Sequence, residues 1–441
     1  MSVSAVNQLK TLLRSAFFKN VALLASGTLV AQLITVASTP VLSRLFLPAA
    51  FGVLGMLNSV VNILAGVSAL RYDMAIVLPA EDDDAANLLS LSLAILTTLT
   101  LITLLVITLG RVPLAERLGQ PEAADWLLWV PPLVFVTGVF QILSYWCSRR
   151  KEFKRLSISQ VAASATSAGS KISAGVAALG TLGLVAGQAA GQIIASLVLL
   201  AQVLREDFSR LRGAFSAERI RKVARTYRDF PRYNAPVTLI NGLTNGLPVL
   251  LFGLIFDATT AGLYSVAYLI LNMPVTLVAS SVRQVYYQRA SERLNQGLPL
   301  YPDHKRTTLI LLGAGILPAL IAALLSPPLF GLFLGQEWTG AGDFARYLMA
   351  FLFAMLVAVP ASALVPVLNR QRWFLGWQII ALVLSTAGIA MGYLLNSPTA
   401  GVIGYSAAKA LMFIILTLAM TARVRRVDSE GHRVYQGEDS H

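Results

Sequence analysis

One cysteine, Cys147, and three histidines, His304, His432 and His441, are all that this 441-residue chain offers for redox or transition-metal chemistry. A single thiol excludes an internal disulfide, and histidines assigned to a loop and the tail exclude a metal site or a Cys/His catalytic pair at membrane depth. No cofactor is expected. Charge is scarce as well: 13% of residues are charged and 56% are hydrophobic, and mean hydropathy is +0.67. An ordinary soluble domain is thereby excluded, and the chain belongs in lipid. Scarcest of all is negative charge within the apolar runs. Every Asp and Glu lies outside them or at their very ends, whereas Lys171 and Lys409 fall near the middle of two. A membrane interior that holds cations without counter-anions is suited to an anion brought from elsewhere.

Runs long enough to cross about 30 Å of hydrocarbon fall near residues 17–43, 51–78, 86–110, 126–147, 156–179, 182–204, 234–256, 261–288, 307–334, 343–369, 373–396 and 399–422, twelve in all. The first follows Lys10, Arg14 and Lys19 and lacks a small-x-small cleavage site, so it reads as a spanning helix with a cytoplasmic N-terminus rather than a signal peptide. The net charge of +13 raises nucleic acid as a partner, but its distribution reads as a topology signal instead. The run Ser148-Arg149-Arg150-Lys151-Glu152-Phe153-Lys154-Arg155, nine Arg/Lys between Arg205 and Arg232, five between Arg283 and Arg306, Arg370, Arg372 and the tail cations, Arg433 among them, all fall on one side. The other side keeps only Arg44, Arg111 and Arg117. Both termini are therefore expected in the cytoplasm, and the domain organisation reads as a six-helix lobe (1–204), a basic cytoplasmic linker (205–233), a second six-helix lobe (234–422) and a cytoplasmic tail (423–441).

The halves resemble one another. Leu47-Pro48-Ala49-Ala50-Phe51-Gly52-Val53 compares with Phe256-Asp257-Ala258-Thr259-Thr260-Ala261-Gly262-Leu263, and at an offset of 210 Asn62 falls on Asn272 and Asp73 on Arg283. Both halves start with an outward and then an inward helix, which makes the repeats parallel, related by an axis along the membrane normal.

Polar stripes follow the helical period. Thr28, Gln32, Thr35 and Thr39 share one face of the first helix, and Asn234, Thr238, Asn241, Asn245 and Pro248 repeat that spacing in the seventh. Asn58 and Asn62 in the second helix match Ser265, Tyr268, Asn272 and Thr276 in the eighth. The fifth carries Ser157, Gln160, Ser164, Ser167 and Lys171 at spacings of three and four. Two readings stay open for these groups, interhelical glue and the lining of a hydrated cavity. Lys409, with Tyr405 and Ser406 one turn away, is too deep to snorkel easily. It reads as a working interior cation or as a structural lysine in contact with water. Arg71, Asp73 and Arg283 near the inner helix ends read as a gate, a phosphate site or interfacial anchors. Arg44 and Arg346 near the outer ends suggest an exit-side cationic site. Prolines within helices (Pro40, Pro248, Pro274, Pro318, Pro360, Pro366) allow bends.

Thr39-Pro40-Val41-Leu42-Ser43-Arg44-Leu45-Phe46, then Phe51-Gly52, then Leu70-Arg71-Tyr72-Asp73-Met74-Ala75-Ile76-Val77-Leu78-Pro79 resemble the polysaccharide transporter branch of the multidrug/oligosaccharidyl-lipid/polysaccharide superfamily, the flippases of O-antigen (lipopolysaccharide) and exopolysaccharide repeat units. The resemblance implies an all-α integral membrane protein of twelve transmembrane helices, in two pseudo-symmetric six-helix lobes around a central cavity that opens alternately to each side of a bacterial inner membrane. It implies a substrate too, undecaprenyl diphosphate carrying a short oligosaccharide, with membrane lipid and the polymerase and chain-length proteins of the same assembly as further partners. A diphosphate suits the cationic interior, because Lys and Arg are its natural partners. On this reading Lys171, Lys409, Arg71, Arg283, Arg346 and Arg44 meet the diphosphate. Gln32, Asn62, Gln160, Ser164, Ser167, Asn241, Asn245, Tyr268 and Asn272 face the sugar, and Asp73 gates.

An ion-coupled drug exporter of the same superfamily is the alternative. Its relatives generally place a carboxylate in a membrane helix, where this chain has Gln32 and no acid. Peptidoglycan-precursor flippases typically add two C-terminal helices. A membrane polymerase or ligase needs a sizeable outer loop carrying chemistry, and the longest one here, near 111–125, is small. Proton coupling, if used, falls to Lys171, Lys409 or a tyrosine such as Tyr268; otherwise downstream consumption drives the step.

Overall fold

The computed structural model describes residues 16–117, 123–214 and 216–438. Lys10, Arg14 and His441 lie outside them, as do the side chains of Lys19, Arg117, His432 and Arg433. The chain forms two compact units that divide after Leu254. Unit 1 holds α1 (Ala16–Leu45), α2 (Pro48–Val67), α3 (Tyr72–Ala75), α4 (Asp82–Arg117), α5 (Ala123–Leu127), α6 (Val130–Arg149), α7 (Phe153–Val176), α8 (Gly180–Ala214), α9 (Ala217–Thr226) and α10 (Ala235–Ile255). Unit 2 holds α11 (Ala258–Asn295), α12 (Tyr301–Leu334), α13 (Thr339–Val357), α14 (Val359–Val367), α15 (Gln371–Leu394) and α16 (Pro398–Glu438). Among the described residues the regular structure is entirely helical, as the absence of water in a bilayer core demands of any open-chain spanning segment.

Among the described residues, eleven stretches are long and apolar enough to span a membrane. The fifth expected span, α7, has 24 residues, about 36 Å of helix, and falls short on composition alone. Its serines, Gln160 and Lys171 lower its hydropathy, and close packing compensates: a side chain at Gly27 of α1 would collide with Ser157, and one at Gly175 with Leu45 and Phe46. The repeat is legible in helix bounds. Ile255 and Ala258, which end α10 and start α11, each lie 210 residues after Leu45 and Pro48, which end α1 and start α2. Pro48 opens α2 without needing an N–H partner, and Asp257 caps α11 by accepting the Thr260 N–H at 2.6 Å.

The repeats diverge one helix later. α2 stops at Val67, and the chain turns through Leu70 (φ 48°) and Arg71 (φ 64°) in the left-handed region, which costs about 1–3 kcal/mol for a non-glycine residue. The corresponding α11 runs on without a break to Asn295. Arg283 therefore stands exposed on a continuous helix, whereas Asp73 is buried in the one-turn helix α3 that follows the break.

The linker is structured, and one histidine departs from its sequence reading. Most of 205–233 is helix, because α8 runs to Ala214 and α9 follows. α9 is pinned to the start of α4 by Arg219–Asp83 (2.5 Å) and Lys222–Asp84 (3.4 Å), and the Ser216 N–H donates to Asn87 Oδ1. His304, assigned to a loop, instead lies buried in the first turn of α12, with Tyr286 OH 3.4 Å from Nδ1 and Thr421 Oγ1 2.9 Å from Nε2. The unit 1 core gathers Trp146, Leu88, Leu96, Ile142 and Leu199, and that of unit 2 gathers Leu364, Leu416, Trp377 and Val424.

Candidate functional site

In unit 1 the polar stripe of α7 faces α1 and α8. Thr28 of α1 donates to Gln160 Oε1 at 2.8 Å, and Lys171 Nζ donates to Gln188 Oε1 of α8 at 2.6 Å. Ser167 reaches the same Gln188 oxygen at 3.4 Å. These partners come together because α8 presents Gly183, Gly187 and Gly191 at intervals of four. A Cβ at Gly187 would stand 2.6 Å from Lys171 Cγ and 2.8 Å from its backbone nitrogen, and one at Gly191 would stand 2.6 Å from Ser167 Cβ. Small residues at this spacing let two backbones approach closely. Lys171 is thus half-buried, held by a neutral amide, and unpaired with any acid among the described residues.

Gln32, Asn62 and Asn245 are exposed on α1, α2 and α10 of the same unit, and Ser164 is half-buried on α7. An exposed amide at membrane depth is stable only against water or another polar group. Asn241, one turn from Asn245, is half-buried and engaged. The lower stripe of α1 turns inward on itself: Thr35 and Thr39 donate to the Ala31 and Thr35 carbonyls.

Unit 2 carries the second cation. Lys409 of α16 is buried, with Nζ 5.9 Å from the centroid of the Tyr405 ring, a cation–π distance. Tyr405 belongs to a four-ring cluster with Tyr264, Tyr268 and Phe351, each centroid about 6 Å from the next. Ser406 anchors α16 to α13 by donating to the Tyr347 carbonyl at 2.6 Å. One turn beyond Tyr268, Asn272 Oδ1 is buried without a hydrogen-bond partner among the described residues, as is Ser265 Oγ. The crossing beneath repeats the unit 1 device, since a side chain at Gly388 or Gly392 of α15 would strike the backbone of Gly404 or Gly401 of α16.

The remaining cations are not drawn into either group. Arg71 is buried beside Asp73 (Nη1–Oδ2 3.7 Å), donates to Tyr145 OH at 3.2 Å, and leaves its Nε and Asp73 Oδ1 without partners among the described residues. Arg44 is exposed at the end of α1, and Arg346 is exposed with Nε donating to the Ala323 carbonyl. Sequence reasoning missed Gln188, Tyr264 and Phe351, and the glycine triplet of α8 was the signal available for the first. It missed also the buried anchor Arg155, which binds Asp207 (2.9 Å) and Glu206 (2.6 Å), with Trp146 Nε1 donating to Asp207. No group of three or more His, Cys, Asp or Glu among the described residues is placed to hold a metal.

Residues 41–343 match the family model described as polysaccharide biosynthesis protein. The succinoglycan biosynthesis transport protein ExoT of Rhizobium meliloti (strain 1021) is 22% identical over 382 residues, which cover 83% of this chain and 72% of that protein. By structure the chain is similar to an inward-facing multidrug resistance MATE family transporter of the MOP superfamily, with TM-score 0.73 and 14% identity over 92% of this chain and 99% of that one. It is similar also to the lipid II flippase MurJ in an inward closed conformation, with TM-score 0.71 and 11% identity over 93% and 90%. At such identities these two likenesses establish the fold.

Proposed function

Because this chain belongs to the polysaccharide biosynthesis protein family, we propose that it moves undecaprenyl diphosphate-linked oligosaccharide repeat units from the cytoplasmic to the periplasmic leaflet. It is a multi-pass membrane transporter of polysaccharide biosynthesis and not an enzyme. In this reading α7 is the twelfth span, both termini are cytoplasmic, and two six-helix lobes alternate access to a cavity between them. The observation that carries it is the pair Lys171 and Lys409: each sits in a long helix against neutral groups, and neither meets an acid among the described residues. A lysine at the bilayer centre costs about 2.5–3.5 kcal/mol on insertion scales, and an anionic cargo gives that cost a use. The exposed amides of unit 1 and the unpartnered Asn272 and Ser265 oxygens supply hydrogen-bonding capacity for sugar hydroxyls.

The test is to delete the gene, extract polyprenyl diphosphate-linked oligosaccharides, and determine in spheroplasts which leaflet holds them. Repeat units confined to the cytoplasmic face, and released by the restored gene, are the expected result. Units that reach the outer face unpolymerised would assign the chain to a later step, and an unchanged lipid-linked pool would favour an ion-coupled exporter of small molecules.

A further inference from the structure

The start of α12 carries a cleft of about 550 Å³ lined by Tyr301, Pro302, Lys305, Arg306, Leu309 and Ile310. Lys305 and Arg306 are exposed, and neither forms an ion pair among the described residues. A third cation stands at its edge, where the Arg425 guanidinium lies 4.5 Å from the centroid of the Tyr301 ring and donates to the Tyr301 hydroxyl. The nearby acids are already engaged. Asp303 is buried against Arg289 at 2.8 Å. Asp428 accepts the N–H groups of Leu300 and Tyr301 at 2.9 and 2.7 Å, so the helix start is capped from within the chain. What the cleft offers a ligand is therefore side-chain positive charge above an apolar floor, with Leu309 and Ile310 more than half exposed.

Depth identifies the ligand class. The apolar stretch Tyr301–Leu334 has 34 residues, about 51 Å of helix, against roughly 30 Å of hydrocarbon. Its first turns therefore stand in the headgroup layer, where tyrosine is enriched, and Leu309 and Ile310 lie just below. We propose that this cleft binds the headgroup phosphate of an anionic phospholipid, with an acyl chain laid against Leu309 and Ile310. Basic pockets on the cytoplasmic side of membrane helices hold such headgroups, and the apolar floor distinguishes this occupant from a free phosphate. The site lies apart from Lys409 and its aromatic cluster, and the proposal does not rest on the transport reading.

The full-length protein, purified and delipidated, is incubated with phosphatidylglycerol or phosphatidylcholine and examined by native mass spectrometry and thermal unfolding. Retained phosphatidylglycerol that raises the unfolding temperature, with little phosphatidylcholine, is expected. The double variant Lys305→Gln/Arg306→Gln should lower phosphatidylglycerol occupancy about tenfold or more, and Lys305→Arg/Arg306→Lys should retain it. Equal occupancy by both lipids, or full phosphatidylglycerol occupancy in the glutamine variant, overturns the proposal. So does displacement of the lipid by millimolar inorganic phosphate, which would mark a site for soluble phosphate, or retention of undecaprenyl diphosphate alone. If the glutamine variant unfolds, the comparison of the two lipids on the natural chain still decides.

Discussion

Lys171 and Lys409 share a design more than a geometry: one is held by an amide oxygen and the other by an aromatic face. Neither arrangement neutralises the ammonium, so each can exchange its neutral partner for a phosphate oxygen. A hydrogen bond to a charged group contributes about 1.5–3 kcal/mol, equivalent to roughly a ten- to hundredfold change in rate if lost only along the transport path. Lys171→Ala and Lys409→Ala are accordingly expected to lower polysaccharide export at least about tenfold with unchanged membrane levels, and the arginine variants to keep part of it. Full export in both alanine variants, read by polysaccharide yield against immunoblot, would remove the cavity assignment. Both lysines were legible in the sequence because depth and helical face follow from counting residues. Gln188 was not, because a partner on the next helix depends on how closely two backbones cross. The left-handed turn at Leu70 and Arg71 was hidden for a related reason: Ser68 to Asp73 read as the tail of a helix, and the break goes with a tertiary contact of Arg71 with Tyr145 beside its local bond to the Gly66 carbonyl.

α7 illustrates what an element borrows from its neighbours. Its serines and Lys171 make it too polar to qualify as a span by hydropathy, yet α1 and α8 cover that face through Gly27, Gly183, Gly187 and Gly191. The four-residue glycine interval is visible in the letters; its meaning depends on the facing helix having short side chains, which α7 supplies at Ser167 and Ala174. Filling the crossing should separate the helices and move Lys171. Gly187→Ala places a methyl 2.8 Å from the Lys171 nitrogen, an overpacking expected to cost about 1–3 kcal/mol. Gly169→Ala, on the same pair of helices but with nothing within 4 Å, is the matched control. Thermal unfolding of the two purified variants in detergent checks this, and equal stability would mean that the close approach carries no weight. The linker shows the same dependence on its neighbours. Its arginine-rich run finds carboxylates on neighbouring helices, because Asp83 and Asp84 at the start of α4 give α9 partners, and Asp207 gives Arg155 a buried one.

At the scale of the whole molecule the count of crossings sets the side on which everything after α7 resides. With eleven crossings the two termini lie on opposite sides, and the positive-inside pattern is broken from α8 onward; with twelve they share a side, and every strongly basic connection faces the cytoplasm. Ion pairs within unit 1 bear on this, because Arg149 and Arg150 at the end of α6 meet Asp82 at the start of α4, and Arg155 at the start of α7 meets Asp207 far along α8. The end of α6, the start of α7 and the end of α8 thus meet at one end of the unit, which requires α7 and α8 to run out and back as an antiparallel pair. The single cysteine makes a direct test simple. In a Cys147→Ser background, Lys154→Cys and Leu179→Cys place one exposed thiol beside each end of α7. If α7 crosses the bilayer, a membrane-impermeant maleimide should label Leu179→Cys in cells with only the outer membrane opened, and Lys154→Cys only after the inner membrane is permeabilised. Labelling of both thiols from the same side would leave α7 and α8 short of a crossing, and the parallel two-lobe arrangement would fail with them.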